Sequence, residues 1–430
     1  MFNSIASSLI TLFNSFQNHP DLKPLELLPW ENSTLFQLPP QHSDRLSETI
    51  VEAYLQNLKR QGIAPERQGI WVQSDWVTPI SNKGKTPLPA ASLTKIATTL
   101  ASLNKWGAKH QFVTNIYVTG EIAAGIVTGD LIVEGSGDPF FVWEEAIAIA
   151  NALNQLGISE VRGNLLITDK FYMNYQDRAL KAGELLKQGL NRQLWQPQVK
   201  QQYLQMPTGT RQPEVTIVGK VKAVEGVPSN ARLLISHQSL PLAEILRQMN
   251  IYSNNKMAQI LADLLGGAAV VAQTSAEIAD FDSTEIELVN GSGLSKENRI
   301  SPHAVCQMLI AIDRLLREDS FSAVDLFPTA GRDVVGTVKG RGLPAGTTIK
   351  TGTLNNVSAL AGVIPTSDRG NVYFSIINYG SQIEYFRQQQ DILLDRLAQT
   401  WQVVPSNFNL ASENNWYLGD PQRNYFYLDN

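Results

Sequence analysis

Three consecutive apolar strand patterns near the C-terminal end of the chain are joined by links that leave room only for hairpins. The links are Asn355–Asn356 and residues 367–370, and the patterns read TTIKTGTL, VSALAGVIP and NVYFSIINYG. Parallel neighbours would need a crossover of about a dozen residues or more, whereas two to four polar residues suit antiparallel strands. We therefore predict an antiparallel sheet here, followed by a helix over 383–401 that covers it.

Composition limits the class of protein. The chain has 430 residues, of which 43% are apolar and 17% charged, as in globular proteins of two or three domains. With 35 basic and 40 acidic residues the net charge is −5, which argues against a nucleic-acid partner. The single cysteine, Cys306, excludes an internal disulfide and a cysteine-based zinc site. No run of about 18 apolar residues predicts a transmembrane helix.

Helical periodicity recurs on both sides of the middle of the chain. A helix is predicted over 43–58 with Ser43 as its N-cap, and a strand over 69–79. A second helix should begin at Ser92, continue to Trp106 and end at Gly107. Helical spacing returns in two short segments, 241–249 and 256–265.

The domain organisation is inferred from a change in the sequence pattern in the middle of the chain, where short strand patterns replace helical spacing. Residues 112–235 contain short strand patterns and one helix near 143–156, which predicts a smaller α+β domain inserted into a main domain. The main domain then joins 25–111 to 236–402. Residues 1–24 have apolar side chains at helical spacing and no basic residue before Lys23. We interpret them as a leader or weak export signal, with peripheral membrane contact as a further possibility. Residues 403–430 form a tail to which the sequence assigns no role.

Several familiar catalytic motifs are missing. Gly84-Lys85-Thr86 resembles the end of a phosphate-binding loop, but Pro79 stands where that loop requires glycine. No serine lies in a Gly-x-Ser-x-Gly elbow and no histidines form a His-Glu-x-x-His pair. The chemistry must therefore come from another arrangement.

Serine and lysine three residues apart provide that arrangement. On a helix such a pair lies on one face, where the lysine can act as a base if its pKa is lowered. The pairs in this chain are Ser92/Lys95, Ser102/Lys105 and Ser253/Lys256. Ser92 stands at a predicted helix start, where the helix dipole stabilises developing negative charge. Ser102 lies inside the same helix and is expected to be a structural polar residue.

Two further motifs complete a set. Ser253-Asn254-Asn255 is a Ser-x-Asn triplet between two predicted helices, and Lys350-Thr351-Gly352-Thr353 lies on a predicted strand. Taken singly, they would be a capping loop and a strand with a solvated lysine. In this order with Ser-x-x-Lys, they are the motif set of β-lactamases and penicillin-binding proteins. An alternative frame, Tyr252-Ser253-Asn254, fits the Tyr-x-Asn of class C β-lactamases and related esterases and stays open.

The segments around these motifs sharpen the resemblance. From about residue 45 to 400 the chain resembles the D-alanyl-D-alanine carboxypeptidase/endopeptidases of the low-molecular-mass class C penicillin-binding proteins. Two positions depart from the family pattern, since Gln259 replaces a usual Glu and Asn290 an often-seen Asp. The segments that carry the resemblance are MNIYSNNKMAQILA, NGSGLSKENRIS, AGRDVVGTV, IKTGTLNNVSALAGV and GDLIVEGSGDP.

The resemblance implies a fold and a function. The fold would be the α+β transpeptidase-like architecture, an antiparallel sheet flanked by helices beside a helical subdomain. The function would be that of a serine DD-peptidase acting on the D-Ala-D-Ala end of peptidoglycan stem peptides, and on cross-links if it is also an endopeptidase. β-Lactam antibiotics would be covalent inhibitors, no metal or organic cofactor would be needed, and the enzyme would work in the cell envelope, in the periplasm.

The resemblance also implies residue roles. Ser92 would be the nucleophile and Lys95 its base, which requires lowering the lysine pKa by about 3 units, or about 4 kcal/mol, through burial and the like charge of Lys350. Ser253 would relay a proton, while Asn255 would position Lys95 and the substrate amide. The predicted catalytic residues are thus Ser92, Lys95, Ser253, Asn255 and Lys350, and the predicted substrate-binding residues are Lys350, Thr351, Gly352 and Thr353. Lys350 and Thr353 would hold the substrate carboxylate, and the backbone N–H groups of Ser92 and Thr353 would form the oxyanion hole.

Two rival functions share these motifs. A class A β-lactamase deacylates with a Glu-x-x-x-Asn element, and none occurs between 256 and 349. A β-lactamase or esterase of another type stays open, as does a non-catalytic wall-binding protein of the same fold.

Overall fold

The structure, a computed structural model, describes residues 44–74, 77–404 and 416–427. All of them belong to the compact unit Ser43–Asn430. The predicted leader 1–24 and the predicted cap Ser43 lie outside the described residues. In place of Ser43, Asp44 caps the first helix, since its side chain accepts a hydrogen bond from the Ser47 N–H.

The helices and strands agree with most of the predicted elements. The strand predicted over 69–79 is shorter, ending at Gln73, and a separate strand begins at Ile80. The helices are α1 (Arg45–Arg60), α2 (Thr94–Trp106), α3 (Trp143–Gln155), α4 (Ala179–Gly189), α5 (Pro197–Tyr203), α6 (Leu242–Ile251), α7 (Asn255–Leu264), α8 (Ala268–Ala279), α9 (Pro302–Leu316), α10 (Ala323–Leu326) and α11 (Ile383–Thr400). The strands are β1 (Gln68–Gln73), β2 (Ile80–Asn82), β3 (Leu88–Pro89), β4 (Val113–Val118), β5 (Ile122–Ala123), β6 (Ile126–Val127), β7 (Leu131–Gly135), β8 (Glu160–Val161), β9 (Leu165–Ile167), β10 (Thr216–Ile217), β11 (Val221–Ala223), β12 (Arg232–Gln238), β13 (Ile286–Glu287), β14 (Arg299–Ile300), β15 (Thr348–Leu354), β16 (Val357–Thr366), β17 (Gly370–Tyr379) and β18 (Asn424–Phe426).

The predicted antiparallel sheet is confirmed. Its strand order is β15-β16-β17-β1-β2, with every pair antiparallel, so β15 forms one edge. The two faces bury alternate side chains of each strand. Leu360 and Phe374 pack with α1 and α11, while Ala359 and Ile377 pack with the helices on the other face. The sheet is therefore covered on both sides, and its edge strand β15 lies beside the helical layer.

Helix α2 forms the centre of that helical layer. Leu93, Ile96 and Leu100 are fully buried along its length, packed among α6 to α9. Gly107 ends the helix with φ +79, a conformation that favours glycine. The apolar side chains recur at helical spacing, which predicted this helix, although every residue from Thr94 to Leu103 is buried.

The stretch predicted as an inserted domain has its own core and two sheets. The strand orders are β11-β9-β7-β4-β12-β18 and β10-β8-β6-β5. The prediction of one helix in this region was incomplete, because α4 and α5 accompany α3. Both are poor sequence signals: α5 has only seven residues, and α4 contains Gly183, whose missing side chain lets the helix approach Ile167 closely. Strand β12 continues three residues beyond the predicted boundary at 235.

The C-terminal segment 416–427 adds a strand to the larger of these two sheets. Strand β18 pairs with β12, and Arg423 is only 3% exposed. The Arg423 Nη2 atom lies 2.6 Å from Oε1 of buried Glu145, and Nδ1 of His237 lies 2.8 Å from Oδ1 of Asn424. Burial alone would raise the pKa of Glu145, but the charge of Arg423 and a hydrogen bond with His237 lower it. The segment thus supplies the counter-charge of a buried carboxylate.

Among the described residues, no single helix is both long and apolar enough to cross a membrane. Helices α7 and α8 together are long and apolar enough, but they are bent by 80° from each other, and they pass on length and composition alone.

Candidate active site

Ser92 lies in a tight turn that leads into α2. Residues Ala91–Leu93 form a single 3₁₀ turn, and the buried side chains of Ala91 and Leu93 fix it against the core. Ala91 has φ +48, a left-handed conformation that costs about 1–3 kcal/mol for a non-glycine residue. Ser92 between them is only partly buried. The turn therefore presents one hydroxyl at the beginning of α2.

Lys95 stands one turn further along and is completely buried. Its Nζ atom donates at 3.1 Å to Ser92 Oγ, at 2.7 Å to Asn255 Oδ1 and at 2.6 Å to the Ser292 carbonyl. Burial lowers the pKa of Lys95 to about 7. In the neutral amine, the Asn255 and Ser292 oxygens would hold the two N–H groups, and the lone pair would point at the Ser92 hydroxyl. This is the geometry of a base next to a nucleophile.

Ser253 and Lys350 form the second half of the site. Ser253 follows α6 and has φ +52, again left-handed without being glycine. Its Oγ accepts a hydrogen bond from Lys350 Nζ at 3.1 Å, and the same ammonium donates to the Thr351 carbonyl at 2.9 Å. Lys350 is fully buried, and its pKa is well below the ordinary value because of burial and the positive charge of Lys95. Two buried ammonium groups cannot both keep their protons easily, so near neutral pH one of the lysines is available as a neutral amine.

The cause expected for the lowered pKa of Lys95 differs in part from the observed cause. The prediction combined burial with the like charge of Lys350, whereas burial is the cause that lowers the pKa of Lys95. The effect of the like charge is seen at Lys350.

The structure separates the two alternative frames of the Ser-x-Asn loop. Asn255 reaches Lys95, as described above, and Ser253 reaches Lys350. Asn254 instead caps α7, with Oδ1 accepting hydrogen bonds from the N–H groups of Lys256 and Met257. Tyr252 is 57% exposed. The frame that brings its side chains to the lysines is therefore Ser253-Asn254-Asn255.

The edge strand β15 lies directly against the Ser92 turn. A side chain at Gly352 would come within 2.9 Å of the Ala90 carbonyl oxygen and 3.0 Å of the Ser92 nitrogen. Only glycine allows that approach. Thr351 is buried, whereas the Thr353 side chain is exposed, with its Oγ1 accepting a hydrogen bond from Arg387 at 3.0 Å. All the predicted substrate-binding residues thus lie on the strand that borders the serine.

Residues 290–293 are a part of the site that the sequence did not assign. The Ser292 carbonyl holds Lys95, and Asn290 Oδ1 shapes the loop by accepting hydrogen bonds from Ser292 and Gly293 N–H and from Ser292 Oγ. Gln259 Oε1 accepts from Gly291 N–H at 3.1 Å. Asn290 and Gln259 are the two departures from the family pattern, and both keep an oxygen acceptor where the family usually has a carboxylate. The segment was visible in the sequence, but its function depends on a carbonyl, which no residue type reveals.

The Ser102/Lys105 pair does not enter the site, and of the Ser253/Lys256 pair only the serine does. Ser102 is completely buried within α2. Lys105 and Lys256 are exposed. They therefore provide controls for the role of Ser92.

The fold and this serine–lysine arrangement define the penicillin-binding-protein class of serine peptidases. The family model described as D-Ala-D-Ala carboxypeptidase 3 (S13) matches residues 67–181 and 182–400, and the chain belongs to that family. The family resemblance and fold class predicted from the sequence are thereby confirmed.

Curated relatives agree with this assignment. The D-alanyl-D-alanine carboxypeptidase of Actinomadura sp. (strain R39) is 30% identical over 203 residues, which is 43% of this chain and 37% of that protein. The D-alanyl-D-alanine carboxypeptidase DacB of Haemophilus influenzae is 24% identical over 390 residues, covering 67% of this chain and 79% of the relative. The match to the Actinomadura protein thus spans little more than a third of that protein's length.

Solved structures show the same fold. A predatory peptidoglycan endopeptidase from Bdellovibrio bacteriovorus, Bd3459, has a TM-score of 0.67 at 20% identity, covering 78% of this chain and 93% of its own. That endopeptidase has also been solved in a form acylated by penicillin G.

Proposed function

We propose that this chain is a serine DD-peptidase that hydrolyses the terminal D-Ala-D-Ala bond of peptidoglycan stem peptides through an acyl-enzyme on Ser92. The observation that carries the proposal is the placement of Lys95 Nζ, 3.1 Å from Ser92 Oγ and held by two acceptors. Membership of the D-Ala-D-Ala carboxypeptidase family supports the choice of substrate. Cleavage of cross-links, as in the Bdellovibrio endopeptidase, is a second activity that the same chemistry allows.

Acylation begins with proton transfer from Ser92 to neutral Lys95. A base with a pKa of about 7 is half neutral at pH 7 and still strong enough to take the proton as the hydroxyl attacks. Ser92 Oγ forms a bond to the carbonyl carbon of the penultimate D-Ala, and the tetrahedral oxyanion develops. The N–H groups of Ser92 and Thr353 would stabilise that oxyanion, since Gly352 lets strand and turn approach closely.

Collapse of the tetrahedral intermediate requires a proton for the leaving amine. Ser253 would relay to it the proton that Lys95 took from Ser92, with the Ser253 hydroxyl held by Lys350 Nζ at 3.1 Å, so that the Lys95 amine becomes neutral again. D-Alanine then leaves, and water hydrolyses the acyl-enzyme with the Lys95 amine again as base. The substrate peptide would lie extended along the part of the edge strand β15 that follows Ile349, since the Ile349 N–H already donates to the Pro328 carbonyl.

The site of action and the inhibitors follow from this chemistry. A peptidase of stem peptides acts where peptidoglycan is, in the cell envelope, and we place it in the periplasm. A β-lactam presents a strained amide to the same serine, so these antibiotics would acylate Ser92 covalently.

Labelling with a fluorescent penicillin tests the nucleophile. The wild-type protein should gain one covalent label, Ser92→Ala should gain none, and Ser102→Ala should label like the wild type. Ser102 is a matched control because it lies on α2, the helix that follows Ser92, but is completely buried. A label that survives Ser92→Ala would overturn the proposal, and an unlabelled wild type would favour a non-catalytic wall-binding protein.

Digestion of purified muropeptides with mass analysis tests the substrate. Loss of one alanine from pentapeptides is the expected result, and conversion of dimers to monomers would add endopeptidase activity. Rapid turnover of a chromogenic cephalosporin without either change would instead identify a β-lactamase.

A further inference from the structure

Thr353, the exposed end of the Lys-Thr-Gly-Thr strand, shares its hydroxyl with an arginine from another element. We propose that Arg387 is a specificity-determining residue whose guanidinium, beside the Thr353 hydroxyl, binds the α-carboxylate of the residue that follows the scissile bond. The inference rests on the proposed DD-peptidase function and extends its substrate requirements.

The geometry brings a free donor and a cation to one place. Arg387 lies in the first turns of α11, and its Nη2 donates to Thr353 Oγ1 at 3.0 Å. Since the hydroxyl oxygen accepts this bond, its own hydrogen is left to donate elsewhere. A carboxylate placed here could accept that hydrogen with one oxygen and a guanidinium N–H with the other, which gives it two charge-assisted hydrogen bonds.

The burial and existing hydrogen bonds of Lys350 favour a second cation for the carboxylate. Lys350 was expected to bind the substrate carboxylate. Its ammonium, however, is buried and already donates hydrogen bonds to Ser253 Oγ and the Thr351 carbonyl. Burial and the charge of Lys95 lower its pKa well below the ordinary value. A guanidinium, by contrast, stays charged throughout the working pH range of a protein. Arg387 therefore offers the more dependable positive charge at the end of β15.

The existing partner of Arg387 can be exchanged. Its Nη1 donates to Glu384 at 2.7 Å, one turn earlier on the same helix, but the Glu384 side chain is 78% exposed and that of Arg387 is 35% exposed. Exposed pairs of this kind contribute little, because water solvates both charges well. A substrate carboxylate that also bonds to Thr353 would compete favourably with Glu384.

The test compares two peptides that differ only at the C-terminus. Both are N-acylated tripeptides ending in D-Ala-D-Ala, one with a free carboxylate and one with a carboxamide. For Arg387→Gln we expect kcat/KM to fall about 10-fold to 100-fold on the carboxylate peptide, mainly through KM, and less than about 2-fold on the carboxamide. Arg387→Lys should recover part of the loss, because it restores the charge but not the fork.

Controls separate this role from a structural one. Arg396→Gln removes an exposed arginine from the same helix and should leave both peptides unaffected. A loss of equal size on both peptides in Arg387→Gln, or no loss on either, would overturn the inference while the DD-peptidase function stood. If the wild-type protein cleaved neither peptide and bound no penicillin, the proposed function would fail first, and the inference with it.

Discussion

Replacing Asn255 by aspartate should move the pH dependence of acylation. Asn255 Oδ1 lies 2.7 Å from Lys95 Nζ, so the substitution places a negative charge in direct contact with the amine. An opposite charge at this range favours the protonated form and raises a lysine pKa by about 1–3 units. Starting from about 7, the pKa of Lys95 would reach about 8–10. Only the neutral amine acts as base, so at pH 7 the active fraction falls from about one half to between about one tenth and one thousandth.

The assay is the rate of labelling by a fluorescent penicillin as a function of pH. In the wild type the rate should rise with pH, with its midpoint near 7. In Asn255→Asp it should be about 5-fold to 500-fold lower at pH 7 and should recover at higher pH, because deprotonation restores the base. Asn254→Asp is the matched control, since that side chain caps α7 and aspartate caps equally well. A uniform loss at every pH, with the midpoint still near 7, would refute the reasoning that Lys95 is the titrating base.

Two further substitutions test the architecture around the site. Gly352→Ala places a methyl group about 3 Å from Ala90 and Ser92 backbone atoms. The rate of penicillin acylation should therefore fall by about 10²-fold, which is the effect of misplacing one oxyanion donor. A change of less than about 2-fold would contradict the close approach of β15 to the Ser92 turn. Arg423→Met leaves the buried Glu145 carboxylate without its counter-charge and should lower the free energy of unfolding in urea by about 3–5 kcal/mol. The exposed pair Arg162–Glu160 in the same region provides the control, since Arg162→Met should change the free energy of unfolding by less than about 1 kcal/mol. Equal effects of the two substitutions would contradict the role of burial.

The elements that the sequence predicted well are those with a strong period. The strands around Lys350 alternate or run apolar between short polar links, and the large apolar residues of α2 recur three or four positions apart. The same patterns placed the Ser-x-x-Lys and Lys-Thr-Gly motifs on the correct kinds of element. Helices α4 and α5 were missed because their glycines and short length weaken the helical pattern.

The parts of the site that escaped the sequence depend on contacts across long distances in the chain. The Ser292 carbonyl that binds Lys95 belongs to the backbone, and the type of a residue does not predict what its carbonyl will contact. Arg387 is one of many charged residues on an amphipathic helix, and only the docking of α11 beside β15 brings it to Thr353. The tail showed no strand signal, because β18 has three residues and owes its conformation to pairing with β12.

That late strand bears on how the protein is made and engineered. A ribosome would complete β4 through β12 almost two hundred residues before it synthesises β18, so Glu145 gains the charge of Arg423 only after that interval. Until then β12 would be an unpaired edge of the sheet, and unpaired strand edges make an incomplete fold prone to aggregation. An isolated fragment covering only β4 through β12 would also lack β18. If this fragment is moved into another protein, residues 416–427 should therefore be included.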